Sequence, residues 1–172
     1  MRAVSKKVCL LGDIGVGKTS LARRFVYALF DDKHNNSMGV KVSRKTVAIP
    51  KEDGAVVELT MMLWDLDGGE DFSQLRGSYM RGAAGAILVC DLTHPESLQS
   101  LGRYLGDLRQ IAPGATTILV ANKSDSPEQR LLLTQVDEAA ALIDGAHFVT
   151  SARTGENVEE MFRYLGRLLV DL

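Results

Sequence analysis

Gly12-Asp13-Ile14-Gly15-Val16-Gly17-Lys18-Thr19 decides how this chain is read, because it fits G-x-x-x-x-G-K-[ST] and stands between two regular segments. The apolar run 8–11 before it reads as a buried strand, and the amphipathic stretch 19–30 after it reads as a helix. In that setting the glycines let successive backbone N–H groups converge on phosphate oxygens at a helix N-terminus, where the helix dipole also favours anions. Lys18 is then placed to reach β- and γ-phosphates, and the Thr19 hydroxyl to ligate Mg2+. Asp13, Ile14, Gly15, Val16, Gly17 and Ser20 complete the expected cradle. A phosphate loop points to a nucleotide, not to a particular one.

Outward from the loop, strands and helices alternate. Two extended runs, 42–49 and 56–64, flank Asp53-Gly54, a strong hairpin signal. Residues 69–82 read as an irregular loop leading into a short helix. The continuous apolar run 86–90 is what a strand covered on both faces shows. Pro95 stands near the start of a helix reaching Ile111, with Leu98, Leu101, Leu105 and Leu108 as its core stripe. A further strand is predicted over 117–121, and a helix from an N-cap at Thr134 through Ile143, with Asp137 three residues on. The last strand falls at 146–150 and the last helix at 156–169. One antiparallel hairpin strand within a βαβ series predicts an α/β fold. Its sheet is six-stranded and mostly parallel, with helices on both faces. No repeat or linker interrupts it, so residues 1–172 are expected to form one domain.

Composition narrows the function classes. The chain has 172 residues, 45% of them hydrophobic and 24% charged, a balance that sets disorder aside. A net charge of −2 gives no reason to expect nucleic acid or an anionic membrane surface as partner. Cys9 and Cys90 both lie inside apolar runs and read as buried structural thiols of a reducing compartment. The run 8–11 is too short for the core of a signal peptide, and 83–90 is far below the ~20 residues a membrane span needs. The ending Leu169-Val170-Asp171-Leu172 carries no cysteine for prenylation. A cytoplasmic protein with no membrane anchor of its own is expected.

Asn122-Lys123-Ser124-Asp125 directly follows the strand predicted at 117–121, at the carboxyl edge where open α/β sheets bind ligands. A carboxylate at Asp125 can accept from both N1–H and the 2-amino group of guanine, a pair adenine lacks. A pocket built around that acceptor rejects the wrong base by roughly 10⁴–10⁵. Asn122 is expected to brace the loop, and the stem of Lys123 to lie along the ring with its ammonium in water. Ser151-Ala152-Arg153 follows the final strand in the same way.

The phosphate loop, Asp65-Leu66-Asp67-Gly68, Asn122-Lys123-Ser124-Asp125 and Ser151-Ala152-Arg153 occur in one order over nearly the whole chain, from Lys7 to Leu169. In that order and spacing the chain resembles the Ras-like small GTPases, with a Rab-type flavour. The missing tail cysteine fits a prokaryotic member or a chain shortened at its end. The resemblance implies a P-loop NTPase fold, GTP and GDP as ligands, Mg2+ as cofactor, and effector, exchange and GTPase-activating proteins as partners. It further implies that Asp65 holds Mg2+ through water and that the Gly68 N–H meets the γ-phosphate. Phe30 would cover the guanine edge, the Ala152 N–H would meet the guanine carbonyl, and Ser151 and Arg153 would flank it. Arg153 replaces the family's usual lysine. Ser37 falls where a switch threonine ligates Mg2+, with a solvated loop serine as the alternative. Lys18, Ser37 and Gly68 are the implied catalytic set.

Three departures cluster at the implied reaction centre. Gly69 stands where the family places a water-orienting glutamine, Ile14 where it needs a very small residue, and Asp67 where it has alanine. Slow unassisted hydrolysis is therefore expected, with Asp67 or Glu70 as less favoured substitutes for the water-positioning group. Segments 31–40 and 68–81 would be the switches and the effector surface. His34 stands in the first of them, either over the nucleotide or exposed. No partner is legible for His94 or His147. A hydrolysis-deficient scaffold is the alternative function; a P-loop ATPase or kinase is opposed by Asp125. Oligomeric state is not legible.

Overall fold

The phosphate-loop strand is β1 (Arg2–Leu11), in which burial rises along the chain until residues 8–11 are wholly enclosed. It is flanked by parallel neighbours on both sides, β3 (Val56–Leu66) and β4 (Gly85–Asp91). That explains why its inner end is apolar without alternation. The strand extends well before residue 8, because its pairing with β3 continues outward as far as Arg2↔Val57 through exposed and half-buried residues. The computed structural model describes residues 1–30, 40–66, 68 and 73–171.

β2 (Val40–Pro50) runs antiparallel to β3, while β4, β5 (Thr116–Asn122) and β6 (His147–Val149) continue in parallel on the other side, in the order β2-β3-β1-β4-β5-β6. The predicted hairpin is present. Lys51 N–H bonds the Ala55 carbonyl at 2.8 Å, and Gly54 takes up a φ of 84° that its lack of a side chain permits. The order reverses about β1, the place where such sheets open a crevice for ligands.

Two apolar cores line the two faces. Val8 and Leu10 of β1 point to one, with Leu21 and Phe25 of α1 (Lys18–Tyr27) and Met161, Phe162 and Leu165 of α5 (Val158–Val170). There Phe25 stacks on Phe162 at 4.1 Å. Cys9 and Leu11 point to the other. That core takes in Met80 of α2 (Ser73–Met80), Leu101, Tyr104 and Leu108 of α3 (Glu96–Ile111), and Val136 and Ala140 of α4 (Leu133–Ile143). Both cysteines are free and buried, and burial pushes their thiols up, to about 11 for Cys9 and about 12 for Cys90. Neither offers a thiolate near neutral pH.

The N-cap of α4 is a correction. The helix starts ahead of Thr134, and Gln135 reaches back to accept the Leu132 N–H at 2.9 Å. That bond serves the backbone donor of the N-cap residue, Leu132, which has no side-chain oxygen to cap the first turn as a threonine was expected to do. Among the described residues no helix is long and apolar enough to cross a membrane.

Candidate functional site at the carboxyl edge of the sheet

β1, β3, β4 and β5 all end on one side of the sheet, and the residues singled out above gather there. The phosphate loop leaves β1 and passes directly into α1, whose N-cap is Gly17. Gly17 has φ 106°, and a Cβ on it would run into the Asn122 amide, so glycine is required on two counts. With no side chain to cap them, the first N–H groups of α1 face the loop. Lys18 is 6% exposed and folds over that loop, its ammonium donating to the carbonyls of Gly12 at 2.8 Å and Asp13 at 2.9 Å. Val16 is tucked into the core and Ser20 is half-buried. Ile14 stands 50% exposed, with Gly15 exposed beside it.

The Thr19 hydroxyl donates to a carboxylate oxygen of Asp65, brought to it by the carboxyl end of β3. A hydroxyl and a carboxylate meeting beside an ammonium-lined loop make a hard-oxygen pair. That donor set suits Mg2+, which takes one or two protein oxygens and completes its octahedron with phosphate and water. Among the described residues no three His, Cys, Asp or Glu side chains cluster into an all-protein metal cage. Gly68 is buried against the same loop. A Cβ there would lie 2.8 Å from the Asp13 carbonyl carbon and from the Ile14 nitrogen.

On the other side of the crevice, Asn122 is 2% exposed and ties three segments together. Its amide donates to the Val16 carbonyl at 3.0 Å. Its oxygen accepts from the Thr150 hydroxyl at 3.1 Å and the Ala152 N–H at 3.2 Å. The bracing expected of Asn122 is therefore present, and it uses the N–H that the family pattern gives to the guanine carbonyl. Ser151 donates its hydroxyl to Asp125 at 2.8 Å and accepts the Thr154 N–H at 3.0 Å, which orients the carboxylate and closes the loop. Arg24 of α1 reaches across to donate to the carbonyls of Ala152, at 2.8 Å, and of Arg153. Phe30 is half-buried against the α1–α5 core.

Lys123 departs from expectation. Its ammonium is not left in water but pairs with Asp91 at 2.8 Å. Asp91 ends β4, is 3% exposed, and also accepts from the Thr93 N–H and hydroxyl at 2.8 and 2.7 Å. Burial alone would raise its carboxyl; the hydrogen bonds from Lys123 and Thr93 and the charge of Lys123 outweigh that and hold it below the usual 3.8. His94 also has a partner, Asp91 at 3.3 Å, and His147 pairs with Asp137 at 2.8 Å, so both histidines are corrected.

Asp91, Arg24, Thr150 and Tyr104 were missed by sequence reasoning. For Asp91 a signal existed, a charge closing an apolar run at a sheet's ligand edge. For Tyr104 it was a hydroxyl inside a leucine stripe, which must find a partner when buried. Arg24 and Thr150 carry no local signal, because their roles exist only once distant loops meet. Ser37, His34, Asp67, Gly69 and Glu70 lie outside the described residues, as does most of the first switch segment.

Comparison with known proteins agrees with this layout. The family model described as Ras family matches residues 7–171. The chain is 35% identical over 161 residues to GTP-binding protein ypt4 of Schizosaccharomyces pombe, covering 91% of this chain and 68% of that protein. It is 36% identical over 167 residues to Ras-related protein Rab-4B of Rattus norvegicus, covering 96% of this chain and 76% of the relative.

Proposed function

The chain belongs to the Ras family, and from that premise we propose that it is a Mg2+-dependent guanine-nucleotide switch, one domain over residues 1–172, whose own hydrolysis of GTP is slow. The observation that carries the reading is that a phosphate loop and a braced Asp125 carboxylate open onto one crevice, joined by Asn122, which bonds the Val16 carbonyl at 3.0 Å. Asp125 would accept from the guanine N1–H and 2-amino group. Asn122, Lys123, Ser151, Ala152 and Arg153 would shape that pocket, and Phe30 would cover the base edge. The N–H groups of residues 13–20 and the Lys18 ammonium would hold the phosphates, with Gly68 offering its N–H to the γ-phosphate.

Thr19, Asp65 and Ser37 would hold Mg2+, which when bound neutralises charge on the β- and γ-phosphate oxygens. The chain's own part in hydrolysis is positioning. Lys18 stabilises charge that moves onto the β–γ bridge, and Gly68 fixes the γ-phosphate for in-line attack by water. Gly69 has no side chain to orient that water, and Ile14, exposed at the loop, crowds any group supplied from outside. Phosphoryl transfer of this kind depends on placement, so these changes reduce rate and leave binding intact. An arginine supplied by an activating protein is worth about 10³–10⁵ in this chemistry. Intact Thr19, Ser37 and Asp65 favour a switch over a scaffold, since a scaffold needs no metal ligands. Two buried free thiols suit the cytoplasm.

Displacement of a fluorescent GDP analogue tests the reading. GTP and GDP should compete at least about 10⁴-fold better than ATP in the presence of Mg2+. Equal competition by ATP would refute the guanine assignment.

A further inference from the structure

Tyr104 sits in the core beneath the nucleotide crevice, 0% exposed, on the face of α3 turned to the sheet. Its hydroxyl ends between two parts of the site, 3.0 Å from Asp13 Oδ1 on the phosphate loop and 2.9 Å from the carbonyl of Gly68. The Arg76 guanidinium of α2 lies over its ring at 4.9 Å. Burial, and after it the Asp13 carboxylate, raises the phenol above its ordinary 10.0, so it stays a proton donor throughout the neutral range. A phenol has one proton and two acceptors face it here, so a stronger bond to one weakens the bond to the other. On its opposite side Gly68 has no room to retreat, since the backbone of Asp13 and Ile14 lies where a Cβ would be.

We propose that Tyr104 is a positioning residue that holds Gly68 by its carbonyl against the phosphate loop and thereby sets how strongly the site prefers a nucleoside triphosphate over a diphosphate. Asp13, by competing for the same proton, tunes that hold. The inference rests on the reading that the Gly68 N–H meets the γ-phosphate. A diphosphate has no group at that place, so a change in how Gly68 is held alters triphosphate affinity alone.

The test is the ratio of the dissociation constants for a non-hydrolysable fluorescent GTP analogue and for fluorescent GDP, measured with Mg2+ on the full chain. Tyr104→Phe keeps the ring and removes the hydroxyl. It should raise that ratio about two- to tenfold, the worth of one buried hydrogen bond. Asp13→Ala leaves the proton wholly to Gly68 and should lower the ratio, and by more than it does in a Tyr104→Phe background, where only the lost charge acts; Tyr104→Trp replaces the Phe variant if that does not fold. Gly68→Ala serves as the reference and should raise the ratio. If Gly68→Ala raises it while Tyr104→Phe weakens both nucleotides in proportion or neither, Tyr104 is only packing and the inference is overturned with the γ-phosphate reading intact. If Asp13→Ala fails to lower the ratio, the shared proton is refuted. If Gly68→Ala also leaves the ratio unmoved, the reading itself fails and the inference goes with it.

Discussion

The two sides of the crevice are built from different materials. On the side proposed for the base, a network ties loop to loop: Asn122 to Val16, Thr150 and Ala152, Ser151 to Asp125, Arg24 to Ala152, and Lys123 to Asp91. On the phosphate side, charged and hydroxyl groups crowd together where glycines leave room: Lys18 over the loop carbonyls, Thr19 on Asp65, Gly68 against Asp13. The shape of the proposed base side therefore follows from contacts the fold itself makes. The side proposed for the phosphates sets the Lys18 ammonium and the first N–H groups of α1 beside the oxygens of Thr19 and Asp65, a donor set that suits an anion and a hard metal ion. The proposed slowing of reaction with recognition kept rests on this division, with Ile14 exposed at the phosphate loop and away from the Asn122 network.

The largest expected effect breaks the base side directly. Asp125→Ala removes the paired acceptor and should weaken GDP binding by about 10⁴-fold while leaving the fold intact, as read by titration and by thermal unfolding. Affinity within tenfold of wild type would mean that guanine is recognised elsewhere. Next comes the scaffold itself. Asn122→Ala strands three buried partners and should cost about 3 kcal/mol, lowering the melting temperature of the protein by roughly 6–12 °C. A shift of a degree or less would show that the loops hold their shape without it.

The smallest effect sharpens the comparison through pH. The Asp91 carboxyl is held below its ordinary value in the folded state, so the unfolded chain takes up its proton first on acidification. The Asp91–Lys123 pair thus contributes stability that is full above about pH 4 and is lost as pH falls through the folded pKa. Urea unfolding followed from about pH 5 to 3 should fall more steeply for wild type than for Asp91→Asn. Parallel curves would remove Asp91 from the account.

Much of this architecture was legible because it rests on local pattern. Apolar runs mark the inner end of β1, β4 and β5, and Asp53-Gly54 marks the hairpin, since burial on two faces and a positive φ leave direct traces in sequence. The glycines of the phosphate loop and the pair Asp125 and Asn122 were legible from their motifs and their place directly after predicted strands, although Asn122 acts through distant partners. What stayed hidden depends on partners far away in the chain. The outer half of β1 is only partly covered and takes its strand form from pairing with β3. Lys123 pairs with Asp91 and not water because β4 and β5 end side by side. Arg24 meets the Ala152 loop only after α1 packs beside it. Tyr104 lies in an apolar stripe, and what its hydroxyl reaches is set by the docking of α3 beneath the loop.

The central claim, that recognition is intact while reaction chemistry is slowed by Gly69 and its neighbours, is tested most directly by single-turnover hydrolysis of preloaded GTP with Mg2+. Bound GTP and GDP are followed over hours in wild type and in Gly69→Gln. Wild type should hold GTP through that period, and the glutamine variant should convert it about 10- to 100-fold faster, the range that placing one group correctly supplies. Equal rates in the two proteins, or rapid conversion by wild type, would contradict the account.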